Sequence, residues 1–233
     1  MQGFGDGANI RTGGELTALD FIRSAIGEGA TVIDVGANRG QYALQVLQAL
    51  PKATIHCLEP QAVAFHACCT ALSNESRATV HNVALSTSSC TQTIYSNSPG
   101  SELASLRKRR LDHFGIEVAH REEVKAWLLS DFLVANNIES VDLLKLDIEG
   151  TEYEVLLAAR DLVLSGRIKT IQFEFGGANI DSRTFFQDFF YFLKPSFTLF
   201  RLCSSRLLQV DSYEELDEVF VTTNYLAVHN SVA

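Results

Sequence analysis

The sequence has no surplus of positive charge: 19 Lys and Arg stand against 28 Asp and Glu, for a formal net charge of −9. Wrapping a nucleic-acid backbone needs a basic face, so this balance argues against a nucleic-acid partner. A small, neutral or carrier-borne substrate fits better. No apolar run approaches the roughly 20 residues of a membrane span, so no membrane partner is expected. The first 30 residues lack the charged-then-apolar layout of a signal peptide. The five cysteines (Cys57, Cys68, Cys69, Cys90 and Cys203) show neither CxxC spacing nor the density of a disulfide scaffold, which points to a reduced, cytoplasmic setting. There is no internal repeat and no low-complexity linker. What the chain does have is 233 residues, 46% of them apolar and 15 of them Phe. That supports one well-filled domain over 1–233, and a second would be a squeeze.

Along the chain, residues 1–14 hold five Gly and read as a flexible lead-in, and Leu16–Ile26 reads as an amphipathic helix. Strands and helices then alternate. Thr31–Val35 is an apolar, β-branched run, followed by a helix over Gln41–Leu50 that Pro51 closes. Thr54–Leu58 is a second strand with a helix over Ala62–Leu72, and Thr79–Leu85 is a third strand. Val141–Ile148 is the most apolar strand, Thr151–Leu164 is helical with Gly166 placed to end it, and Thr170–Phe175 is a fifth strand. Phe185, Phe186, Phe189, Phe190 and Leu193 mark one face of a helix ended by Pro195. Thr198–Leu202 and Val219–Val228 suggest an antiparallel hairpin at one sheet edge. The pattern is that of a doubly wound α/β fold, Rossmann-like, with a mostly parallel sheet covered on both faces. Residues 86–140 are too long for an ordinary connection and are expected to be an insertion that covers the substrate.

In such sheets ligands bind beyond the carboxyl ends of the strands. The first strand–helix turn reads Asp34-Val35-Gly36-Ala37-Asn38-Arg39-Gly40. Gly36 and Gly40 allow close backbone approach, and Asp34 can hold loop amides or a ligand ammonium. Glu59 ends the next strand 23 residues after Gly36, where a carboxylate suits ribose hydroxyls. Together these features point to a nucleoside-containing ligand. Asn38 stands where a dinucleotide-binding turn would carry its second Gly, which disfavours a pyrophosphate and an NAD-type oxidoreductase. S-adenosylmethionine (SAM) carries no phosphate and fits the turn better. Tyr42, at the start of the first helix after the turn, reads as half core and half cofactor wall.

The segments VIDVGANRGQY (32–42), CLEP (57–60), NVALS (82–86) and DLLKLDIEGTEYEVLLAA (142–159), in this order and spacing, resemble the FkbM family of methyltransferases. The resemblance implies the class I methyltransferase fold, SAM as cofactor, and methyl transfer to an oxygen of a sugar, polyketide or other secondary metabolite. By that resemblance Asp34, Gly36, Asn38 and Gly40 hold the methionine part of SAM, Glu59 binds its ribose, Asn82 to Ala84 border the adenine, and Ser105 touches the cofactor. The family often carries a longer N-terminal region, which raises the expectation of a larger synthase polypeptide. Its T-L-D segment appears here only as Leu129-Ser130-Asp131.

The second motif is Lys145-Leu146-Asp147-Ile148-Glu149-Gly150. A hydroxyl is a poor nucleophile, so a base that removes its proton helps O-methylation, typically by roughly 10²–10⁴-fold. Asp147 is the leading candidate for that base. If the strand continues, Glu149 points the same way and could share the role, or the pair could hold a divalent cation, with Glu174 as a further ligand. A metal is allowed by this pattern but not favoured over plain turn chemistry. Lys145 either snorkels to the sheet edge or pairs with an acid such as Asp147. Thr151 and Glu154 read as a capping box, and Glu152 suits the helix dipole or the site. His113 and His120 are further candidates for deprotonation, with surface positions as the plainer reading. Arg107-Lys108-Arg109-Arg110 is either a solvated face or a docking point for an acidic carrier protein that holds the substrate. Cys68-Cys69 reads as core filling. The expected activity is SAM-dependent O-methyl transfer to a small or carrier-bound molecule. The rivals are an N-methyltransferase of the same fold, the oxidoreductase, and a non-catalytic SAM-fold module.

Overall fold

A computed structural model describes residues 14–232. All of the expected lead-in except Gly14 lies outside these residues. The chain runs α1 (Glu15–Ala25), β1 (Thr31–Val35), α2 (Gln41–Ala49), β2 (Thr54–Leu58), α3 (Ala62–Ala71), β3 (Ala78–His81), β4 (Ala84–Leu85), β5 (Cys90–Ser96) and β6 (His120–Trp127). It continues through α4 (Leu129–Ala135), β7 (Val141–Leu146), α5 (Glu152–Ala158), α6 (Arg160–Leu164), β8 (Ile168–Phe175), α7 (Gly177–Ser182), α8 (Phe186–Leu193), β9 (Phe197–Cys203), β10 (Arg206–Val210) and β11 (Thr223–His229).

The main sheet has eight strands in the order β10-β9-β11-β8-β7-β1-β2-β3. From β3 to β8 every pairing is parallel, and β11 runs antiparallel to both of its neighbours. The strands are apolar because both faces are covered. On one face Val32, Ile55 and Leu143 pack under α1 and α2 with Leu19, Val46 and Leu47. On the other, Ile33, Leu144 and Phe173 pack under α4, α5 and α8 with Phe132, Leu156 and Phe189. There the rings of Phe173 and Phe189 stack with centroids 4.5 Å apart.

Apart from shifts of a few residues at element ends, the structure departs from the sequence reading in five places. Thr79–Leu85 is two strands: β3 ends at His81, and β4 leaves for a separate three-stranded sheet, β4-β6-β5. The strand at 141 stops at Leu146, because Glu149 (φ 57°) and Gly150 (φ 100°) turn the backbone. The helix after it breaks at Ala159 into α5 and α6. The antiparallel edge is present, but β11 inserts between β8 and β9, and the hairpin is made by β9 with β10. Within 86–140, α4 buries Leu129, Phe132 and Leu133 in the main core. Only the part up to Trp127 is therefore free to cover a site.

Candidate cofactor and active site

The strand order reverses at β1, which lies between β2 and β7, and a crevice opens over their carboxyl ends. Gly36 makes this crossing. Its φ is 80°, and a Cβ there would lie 1.9 Å from the Asp147 carbonyl oxygen, so no other residue lets the turn pass so close to the end of β7. Gly40 (φ 82°) caps α2. The Glu59 carboxylate binds the turn from the side: Oε2 accepts the Asn38 amide at 2.9 Å and Oε1 the Gln61 amide at 2.9 Å. Burial pushes its pKa up to about 7, against the pull of these hydrogen bonds. Asn82 sits behind this turn and donates to the Glu59 and Pro60 carbonyls at 3.0 and 2.9 Å.

A cleft of about 480 Å³, its open mouth included, lies above. It is lined by Gly36, Asn38, Glu59 and Gln61 on one side and by Ala84, Ser105, Leu106, Asp147 and Thr151 on the other. The segment between β5 and β6 forms its roof. Ser105 pins that roof, donating to the Glu149 carbonyl at 2.8 Å and pairing its backbone with Tyr95.

Under the cleft floor lies a buried polar chain, of which the sequence anticipates only the Lys145–Asp147 link. Lys145 is 4% exposed, and its Nζ is 2.9 Å from Asp147 and 3.6 Å from Asp34. It also lies 4.8 Å from the centre of the Tyr42 ring. Tyr42 donates to Gln172 at 3.1 Å, and Gln172 donates to Glu15 at 3.1 Å. Tyr42 and Asp34 thus belong to the floor and do not line the cleft. Burial works against the Lys145 charge, but Asp147, Asp34 and Glu15 outweigh it and hold its pKa well above the ordinary lysine value. Burial pushes Glu15 up to about 7 despite Lys145, and it also raises Asp34. Of the two sequence readings of Lys145, the structure shows the pairing with Asp147, while the links to Asp34, Gln172 and Glu15 have no sequence signal.

Asp147 remains 39% exposed at the rim of the cleft. Because β7 stops at Leu146, Glu149 does not point with it. Glu149 is instead clamped by Arg109, whose Nε lies 3.9 Å from Asp181. Burial pushes Glu149 up to about 8, with Arg109 opposing. Glu152 is 1% exposed and accepts the Ile148 and Gly150 amides at 2.9 and 3.1 Å, which closes the turn. The expected capping box is not formed: Thr151 makes no cap, and Glu154 pairs with Arg107. Two of the four cations at 107–110 are thus spent within the molecule. His113 is exposed on a short turn against Phe114, His120 opens β6 opposite Ser96, and neither lines the cleft. Cys68 is buried and Cys69 half-buried on α3. Among the described residues no group of three or more His, Cys, Asp or Glu is placed to hold a metal, so the divalent cation weighed for Asp147, Glu149 and Glu174 has no support.

The residues present fit SAM. The Asn38 Oδ1 and Gln61 Oε1 atoms face the cleft region buried and without a partner. These are acceptors, and ribose hydroxyls, an adenine amino group and an ammonium are donors.

The strand order and this crevice define a class I SAM-dependent methyltransferase fold. A solved structure with the same architecture is the Methanococcus jannaschii fibrillarin pre-rRNA processing protein, at 12% identity and a TM-score of 0.51, with 95% of this chain and 76% of that one covered. The chain also matches the structure of precorrin-6y C5,15-methyltransferase from Geobacter metallireducens, at 9% identity and a TM-score of 0.46, with 91% of this chain and 88% of that one covered. No curated protein matches the sequence. Residues 34–202 match the Methyltransferase FkbM domain, and the chain belongs to that family of methyltransferases.

Proposed function

We propose that the protein is an O-methyltransferase that uses SAM to methylate a hydroxyl of a small molecule. The observation that carries this reading is Asp147, an exposed carboxylate on the rim of the cofactor cleft, held by Lys145 at 2.9 Å. SAM, when bound, supplies a methyl group on a sulfonium that needs no activation. The protein's part is to bind, align and deprotonate. Glu59, Asn38 and Gln61 form the acceptor-lined wall for the nucleoside. The roof held by Ser105 and Arg109 excludes water, which keeps the acceptor oxygen from being solvated. Asp147 takes the hydroxyl proton as the oxygen–carbon bond forms and the sulfur–carbon bond breaks. The buried lysine beside it holds the carboxylate in place, with Nζ 2.9 Å away.

With Arg107 and Arg109 paired internally, the basic run is poorly placed to seize an acidic carrier, and a free small molecule is the favoured acceptor. Incubating the protein with SAM labelled on the methyl carbon and a panel of polyols, sugars and macrolides tests this. Label on oxygen, read by carbon NMR, is the expected result. Label on nitrogen or carbon with none on oxygen would overturn it. No described helix is long and apolar enough to cross a membrane.

A further inference from the structure

The end of β8 holds polar groups that the reading above leaves unused. The β7–β8 register pairs Leu146 with Phe173, so the next residues along are Asp147 and Glu174. The Glu174 carboxylate has no hydrogen bond or ion pair among the described residues. On its other side Glu174 is in register with Asn224 of β11, so the two side chains leave the sheet on the same face. Asn224 is only 6% exposed, yet its amide has no hydrogen-bond partner among the described residues. Nearby, Glu152 spends Oε1 on two turn amides and leaves Oε2 buried and unpaired. Burial, reinforced by the charges of Asp147, Glu149 and Glu152, drives the Glu174 pKa well above the ordinary carboxyl range. The local cations are already committed, Lys145 to Asp147 and Asp34, and Arg109 to Glu149 and Asp181.

We infer that Glu174 and Asn224 form a recognition site for a protonated amine on the methyl acceptor, which makes the acceptor an amino alcohol, an amino sugar among them. The inference rests on the O-methyltransferase reading, because it takes the hydroxyl to lie at Asp147. Neighbouring strands are about 4.8 Å apart, so the hydroxyl and the ammonium of one small molecule can face Asp147 and Glu174 at the same time. An ammonium brings three donors and no acceptor, and the carboxylate and amide oxygens of this pair are the complement. A metal ion is a poorer occupant, since no group of three ligating side chains is assembled among the described residues.

The test uses the full chain saturated with SAM and follows the side-chain amide signal of Asn224 by nitrogen-resolved NMR. Ethanolamine is titrated against ethylene glycol, which differs only in carrying a hydroxyl for the ammonium, at constant ionic strength. Ethanolamine is expected to move the signal to saturation and ethylene glycol to leave it unmoved. Glu174→Gln, near-isosteric, should weaken the response about tenfold or more, as expected for losing a charge-assisted hydrogen bond. In Asn224→Ala the same loss should show in competition calorimetry. Equal responses to both probes, no response to either, or an unchanged response in Glu174→Gln would overturn the site and leave a carboxyl that simply stays protonated. SAM affinity measured on the same samples separates the two claims. Normal SAM binding without an ethanolamine response counts against the amine site alone, whereas failure of the wild type to bind SAM counts against the function itself.

Discussion

The two halves of the crevice are built from different material. Over β1 and β2 the surface is mostly backbone: the Gly36 crossing, the Asn38 and Gln61 amides, and Glu59 spanning between them. Over β7 and β8 it is charged side chains: Asp147, Glu149, Glu152 and Glu174 against Lys145 and Arg109. A backbone cradle is rigid and generic, and it suits a cofactor that never changes. A charged side-chain array can be re-aimed residue by residue, and it suits an acceptor that differs between relatives. Substitutions in the first half should therefore damage binding and folding together. Those in the second should separate turnover from cofactor affinity.

Asp147→Asn gives the sharpest separation. Turnover should drop by roughly 10²–10⁴-fold, or about 3–5 kcal/mol of barrier, while calorimetric SAM affinity holds. Lys145→Met crosses the divide, because it strips the counter-charge from Asp34 and Asp147 at once. Leaving buried charge unpaired typically costs about 3–5 kcal/mol, read as a lower urea midpoint. Gly36→Ala strikes the cradle: the new Cβ would meet the Asp147 carbonyl at 1.9 Å from a positive φ. A loss of about 2–4 kcal/mol in urea unfolding, together with lost SAM binding, is expected.

The remaining effect is on pH dependence. Burial pushes Glu15, Glu59 and Glu152 up to about 7. A carboxyl held above its unfolded value contributes stability that is complete below that value, near 4.5, and is lost as pH rises through about 7. The stacked pair His56 and His81 works the other way. Burial lowers both, His81 to about 4, so they cost stability as pH falls below 6.5. The three carboxyls, with Asp34, Glu149 and Glu174 raised as well, outnumber the two histidines, so unfolding free energy should be lower near about pH 7.5 than near about pH 5.5. Glu152→Gln keeps an acceptor for the turn amides and should shrink that fall by up to ~3 kcal/mol.

The same divide separates what could be read from sequence. The strands expected at 31–35 and 54–58 lie where the structure has them, and the helix expected over 41–50 ends one residue earlier, at Ala49. Their signal is local, in apolar runs with a proline or glycine at the end. The strands at 90–96 and 120–127 were lost inside an apparent insertion. Sequences such as Cys90–Ser96 and His120–Trp127 are largely polar, because their small sheet leaves many of their side chains half-buried or exposed. The alternation that placed Glu149 beside Asp147 failed at a backbone turn through positive φ, which non-glycine residues seldom announce. Glu15, Gln172 and Asn224 carry no motif. Their roles come from strand order and register, which join residues up to 157 positions apart.

The most direct test of the account is a calorimetric titration of SAM and NADH into the wild type and Glu59→Gln. The account predicts one-to-one SAM binding by the wild type, about tenfold or more weaker binding by the variant, and no heat from NADH. NADH binding without SAM binding, or a Glu59→Gln variant that binds SAM as the wild type does, would contradict it.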